Sequence, residues 1–98
     1  MTTVRWHPEA SLDLLQSVQF YEAREPGLGE RFMAHVDAAI ARAAASPQLC
    51  RPFEGEFRRT RVEVFPFSVI FRERPGGIQI LALAHSSRDP GYWHHRTL

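Results

Sequence analysis

Residues 78–84, Ile-Gln-Ile-Leu-Ala-Leu-Ala, form a run that is apolar on nearly every position, so a strand built from it is apolar on both faces. Successive side chains of a strand point to opposite sides of its sheet. Such a strand has to be central and covered above and below. The chain has 98 residues, enough for one domain (1–98) with a modest core. The run empties directly into His85-Ser86-Ser87-Arg88-Asp89-Pro90-Gly91-Tyr92-Trp93-His94-His95-Arg96. A rigid strand thus supports a cationic, aromatic tail, the kind of surface that meets another molecule.

The covering elements can be read from periodicity. Val4 and Trp6 mark a short first strand. Pro8 suits a first helical turn, and Glu9 and Asp13 suit its positive end. Ala10, Leu14, Leu15, Val18 and Tyr21 then follow helical spacing, predicting a helix over 8–24. Residues 25–29, Glu-Pro-Gly-Leu-Gly, are a turn of breakers. Leu28, Phe32, Val36, Ala39, Ile40 and Ala43 line one face of a second helix that Ser46-Pro47 stops. The short link makes the pair an antiparallel hairpin, each helix too short for a coiled coil. After a loop over 49–56, residues 57–65 alternate, with Arg59, Arg61 and Glu63 opposite Thr60, Val62 and Val64. Pro66 breaks this strand, 67–74 form the next, and Pro75-Gly76-Gly77 turn into the apolar run. The expected fold is α+β: a two-helix hairpin on one face of a mainly antiparallel four-stranded sheet, in the order β-α-α-β-β-β. The other face is expected to carry Arg59 and Arg61, with the tail near its edge.

Composition removes several classes of function. No apolar run approaches the roughly 20 residues that span a bilayer, and the N-terminus lacks a signal-peptide pattern, so a cytoplasmic protein without membrane contact is expected. Cys50 is the single cysteine, which excludes an internal disulfide. All 12 basic residues are arginine. Any mechanism that needs a lysine proton donor is excluded, and arginine is a fork for carboxylates and phosphates rather than an acid. Residues 1–50 hold four arginines against six acids, and residues 51–98 eight against five. The net charge of +1 gives no argument for direct, sequence-specific DNA binding. His94-His95 has no metal-ligand spacing, and adjacent residues of an extended tail point apart. No metal and no cofactor are expected.

The order of elements, together with Pro8-Glu9-Ala10, Tyr21-Glu22, residues 26–32 (Pro-Gly-Leu-Gly-Glu-Arg-Phe), Arg59, residues 65–69 (Phe-Pro-Phe-Ser-Val) and the closing His85…Arg88-Asp89-Pro90-Gly91-Tyr92-Trp93…Arg96, resembles the RelE/ParE superfamily of type II toxin–antitoxin toxins. The resemblance covers nearly the whole chain and is strongest to the ParE-like, plasmid-stabilisation branch. It implies a toxin neutralised by a cognate antitoxin. ParE-like members inhibit DNA gyrase, whereas RelE-like members are ribonucleases that cut mRNA on the ribosome. The nuclease chemistry needs cations on the scissile phosphate and a proton-transfer group. Here the resemblance offers Arg59, Arg61, Arg72 and Arg88 for the first role, and His85 or Tyr92 for the second. The lysines of RelE-like enzymes are missing. Gyrase inhibition by protein contact, without catalytic residues, is the leading expectation. A ribosome-dependent endoribonuclease and a degenerate toxin that only binds a partner are the alternatives.

Each site residue also has a plain structural reading. Arg59 and Arg61 would pair with Glu63 or Glu73 on a solvated sheet face, or form an electropositive surface for an acidic partner. A histidine that ends a buried strand, as His85 does, is more often a backbone-bonded structural residue than a general base. Ser86, Ser87 and Asp89 beside it make no hydrolase motif. Tyr92-Trp93 is more often an anchor that pins a tail to a core. For target or partner contact the expected residues are Arg59, Arg61, Arg72, Arg88, Tyr92, Trp93 and Arg96. For an antitoxin groove along a partly exposed hairpin they are Leu28, Phe32, Val36 and Ile40.

Overall fold

The computed structural model describes residues 2–97. In chain order they form β1 (Thr3–Trp6), α1 (Pro8–Arg24), α2 (Leu28–Ala45), a 3₁₀ turn (Pro47–Leu49), β2 (Arg51–Glu54), β3 (Phe57–Arg61), β4 (Phe67–Arg74), β5 (Gly77–His85) and a second 3₁₀ turn (His94–Thr97). The helices start as their sequences dictate. His7 Nδ1 accepts the Glu9 N–H at 3.1 Å, and Pro8 occupies the first turn, where its missing donor costs nothing. Between the helices Gly27 takes a left-handed conformation, φ 89°. The Glu22 carboxylate reaches over this turn and accepts the N–H groups of Gly27 (3.0 Å) and Gly29 (3.1 Å). Donors at the start of α2 that lack helical partners are thereby satisfied from the end of α1. No helix among the described residues is long and apolar enough to cross a membrane.

The sheet has five strands in the order β1-β5-β4-β3-β2, not four. The extra strand, β2, comes from the segment read as a loop. It is four residues long, includes Pro52, and pairs only with β3, so it shows neither alternation nor a full ladder. One pair is parallel: β1 runs beside β5 with Val4 opposite Ile78 and Trp6 opposite Ile80. The hairpin and three strands intervene between β1 and β5, the long connection that a parallel pair requires. β3 also ends earlier than its alternation implied, at Arg61. Residues 62–66 form a corner in which Val64 has φ 74° and is 84% exposed, while Val62 and Phe65 turn inward. The Val62 N–H donates to the Phe67 carbonyl at 2.9 Å and closes the corner.

The central run is covered on both sides, as its composition demands. On one face Phe32, Val36, Ala39, Ile40 and Ala43 of α2 and Ala10 of α1 pack against Val62, Phe65, Phe67, Val69, Phe71, Ile78, Ile80 and Leu83. Tyr21, Phe32, Phe65 and Phe67 interlock there with ring centroids 4.9–6.1 Å apart. On the other face a smaller cluster joins Ile70, Leu81, Ala82 and Trp93. A bulge between Ile70 and Phe71 in the β4–β5 register lets the neighbours Leu81 and Ala82 both serve this second cluster. The expected groove of Leu28, Phe32, Val36 and Ile40 is therefore not open in this fold. Phe32, Val36 and Ile40 are buried in the main core, and Leu28 packs against it half-buried. Sheet area enough to cover α2 comes from the long β4 and β5.

Gly77 is the tightest point of the sheet. A Cβ built there would lie 1.8 Å from the Thr3 carbonyl oxygen. Gly77→Ala is expected to push β1 off β5 and to cost about 1–3 kcal/mol, read as a lower urea midpoint.

Candidate functional site

The tail is held by a carboxylate from the first helix. Asp13 lies on the inner face of α1 and is buried, and so is Arg96. Asp13 Oδ2 accepts from Arg96 Nη1 at 2.7 Å, from Tyr92 Oη at 3.0 Å and from the Leu83 N–H at 3.1 Å. Asp13 Oδ1 accepts from Arg96 Nη2 at 3.3 Å, and Arg96 Nη1 also donates to the Leu81 carbonyl at 3.0 Å. One carboxylate thus joins α1, β5 and the tail. Burial, and then the Asp13 carboxylate beside it, hold the Tyr92 hydroxyl far above its ordinary pKa. It stays protonated as a donor. Trp93 is fully buried, edge-on to Phe57 with centroids 4.9 Å apart. Its indole nitrogen and Arg96 Nε have no hydrogen-bond partner among the described residues. Outside this core, His95 donates to Glu9 at 3.0 Å and His94 to Glu54 at 3.1 Å, fastening the last turn to α1 and β2.

These contacts divide the expected binding residues into two groups. Trp93 and Arg96 are core, and Tyr92 is half-buried in the same network. Arg72 is also buried: its Nε donates to Gln79 at 2.9 Å and its Nη1 to Glu56 at 3.3 Å. The long stem of arginine lets one side chain pack and pair together, which is why these residues look like surface in the sequence. Arg59, Arg61 and Arg88 make no ion pair among the described residues. Arg59 lies over the Phe53 ring at 5.0 Å and Arg88 over Tyr92 at 4.0 Å. The expected partners of Arg59 and Arg61 are engaged elsewhere, Glu63 with Arg42 (3.9 Å) and Glu73 with Arg58 (4.0 Å). His85 is exposed, and its Nδ1 accepts the Ser87 N–H at 3.0 Å. It shares a shallow hollow with Arg59, Arg88 and Tyr92.

Beside this hollow lies an open cleft of about 840 Å³. It runs between the end of α2, the first 3₁₀ turn, the start of β2 and the corner that leads into β4. Arg42, Arg51, Arg59 and Arg61 line it, with no carboxylate among the lining residues. β2 pairs with β3 only as far as Arg59, so Thr60 and Arg61 have no β2 partner along this edge. Arg42 Nη2 donates to the Arg61 carbonyl at 2.9 Å. Leu49, 86% exposed, stands on the rim. Cys50 lies in the wall, its thiol pushed up by burial. Arg42 and Arg51 were missed as site residues, because nothing in a linear reading joins a helix end to a strand edge. Asp13 was missed as an anchor, although an acid in phase with Ala10 and Tyr21 was a visible signal. Among the described residues no group of three or more His, Cys, Asp or Glu is placed to hold a metal.

The structure thus combines a two-helix hairpin, a sheet with one parallel edge, and a cationic cleft beside a pinned aromatic tail. The family model for the ParE toxin of the type II toxin–antitoxin system parDE matches residues 4–90. The fold is similar to a solved chain of the "Chromosomal ParDE TA system from P. aeruginosa", at 25% identity and TM-score 0.75, covering 87% of this chain and 96% of that one. No curated protein matches the sequence. The chain belongs to the ParE toxin family.

Arg96→Gln leaves the Asp13 charge buried and unpaired. It is expected to cost about 3–5 kcal/mol, a large part of a small domain's stability. Tyr92→Phe removes one hydrogen bond and should cost about 1 kcal/mol. Urea unfolding of the two variants checks both the values and their order.

Proposed function

We propose that this chain is the toxin of a type II pair, kept inactive by a cognate antitoxin, and that its target is DNA gyrase, reached by protein–protein contact rather than by catalysis. The observation that carries the choice is the bonding of the Tyr92 hydroxyl to buried Asp13. A phenol held protonated in a structural network is a poor proton shuttle. Arg72 and Arg96 are likewise committed to internal carboxylates, and the chain has no lysine to replace them. The groups left for a target are Arg59, Arg61 and Arg88 with the exposed side of the tail. One observation favours the ribosome-dependent nuclease reading: Arg59, His85, Arg88 and Tyr92 do share one hollow. Induced alone, the chain is expected to arrest growth, to inhibit gyrase supercoiling and to leave mRNA ends unchanged during translation. Codon-positioned cleavage that disappears in His85→Ala, with gyrase still active, would replace this reading by the nuclease.

The antitoxin is proposed to lie in the arginine cleft, not on the buried face of α2. Four guanidinium groups without an acid among the lining residues fit an acidic segment. The edge at Thr60 and Arg61 is not covered by β2, and Leu49 offers an apolar contact. Arg51→Glu with Arg61→Glu should slow antitoxin association and flatten its salt dependence, while stability stays within about 0.5 kcal/mol. Association rates over a salt series test this. Rates equal to those of the parent chain would remove the cleft from the proposal.

A further inference from the structure

The outer face of α1 carries an apolar stripe that nothing among the described residues covers. Leu12, Leu15 and Phe20 are 53%, 51% and 54% exposed. At 100° per residue they share one side of the helix with Gln16, Gln19 and Ala23, all exposed. The opposite side, with Ala10, Asp13, Leu14 and Tyr21, already packs inward, so no rotation of α1 could bury the stripe without emptying the core. None of its residues lines the arginine cleft.

The stripe is self-complementary in one orientation. Leu12 and Phe20 lie four residues on either side of Gln16, with Glu9 in the first turn and Arg24 in the last. A second α1 turned end over end about Gln16 sets Phe20 against Leu12 and brings Arg24 to Glu9. A parallel arrangement would set like charges together. Arg24 is held over the Phe20 ring at 5.0 Å and has no carboxylate partner among the described residues. The Glu9 side chain, although it accepts from His95, is still 43% exposed.

We propose that a second copy of this chain docks on this face, α1 against α1 and antiparallel, about a twofold axis near Gln16. In such an isologous interface every contact occurs twice. Leu12 and Phe20 form its apolar centre, Leu15 lies at its margin, and Arg24 with the partner copy's Glu9 closes each end. One helix face of about 25 Å is smaller than the surfaces of tight complexes. The dimer is therefore expected to dissociate in the micromolar range.

Sedimentation equilibrium of the purified chain across micromolar concentrations tests this. The average mass should rise from one chain to two. Phe20→Ala should weaken the dimer about tenfold. Arg24→Glu or Glu9→Arg alone should weaken it about two- to fivefold. The double variant Glu9→Arg/Arg24→Glu should recover most of that loss. Thermal melts show that each variant is folded. A mass of one chain at every concentration overturns the proposal. So does a dimer that Phe20→Ala leaves intact, or a double charge exchange no tighter than the single ones.

Discussion

Asp13 is one carboxylate buried between a helix, a strand and a tail that lie far apart in sequence, and the remaining architecture is arranged around its neutralisation. A buried ion pair adds little net stability over apolar residues of the same shape, but an unpaired buried charge is severely penalised. Once Asp13 is placed inside, Arg96 has to come to it. The chain between β5 and Arg96 must then fold back across the sheet. That return brings Trp93 onto Ile70, Leu81 and Ala82 and closes the second core. The Leu83 N–H and Leu81 carbonyl complete the shell, so the central strand is tied into the same network. The apolar run requires a second cover; the ion pair supplies the reason that the tail is this cover.

The arginines show how one residue type is divided between structure and recognition. Arg72 and Arg74 share Glu56, Arg31 takes Glu25, and Arg96 takes Asp13. What remains without a carboxylate among the described residues in the second half of the chain (Arg51, Arg59, Arg61 and Arg88) lies in or beside the cleft and the hollow. An excess of positive charge with no internal partner raises the local potential, where low-dielectric walls strengthen it. The net charge of +1 hides this because acids and bases are paired unevenly over the surface. Burial and pairing, rather than charge count, mark which arginines can serve a partner.

Membership of the ParE family sets these features in a biological class, and the site gives that class a physical form. The tail that looked like a free binding element is a wall of the domain. Its aromatic and cationic groups are mostly spent on cohesion, and the arginines that line the cleft stand at the neighbouring strand edge and helix end. Any change that loosens the tail removes core as well as surface, so losses of binding there have to be read against losses of stability.

The hairpin, the strand-turn-strand over 67–85 and the need for two covers around 78–84 were legible in the sequence, because they rest on local periodicity and on turn residues whose conformations neighbours do not alter. The apolar face of α2 was legible for the same reason, although its complete burial was not. Four residues of β2 carried no pattern, and the parallel partner of β5 is chosen by a connection through most of the chain. Val64 looked inward by alternation and turned outward, since a single positive φ at a corner overrides the period of two. The roles of Asp13, Tyr92 and Arg96 depend on atoms brought together over 79 to 83 residues of chain. Sequence alone determined the two helices, the strands other than β2, and that the central strand is covered on both sides. Only the tertiary structure decided that the tail is one of those covers and that the cleft is cationic, because burial and charge pairing are set by distance in space and not by distance along the chain.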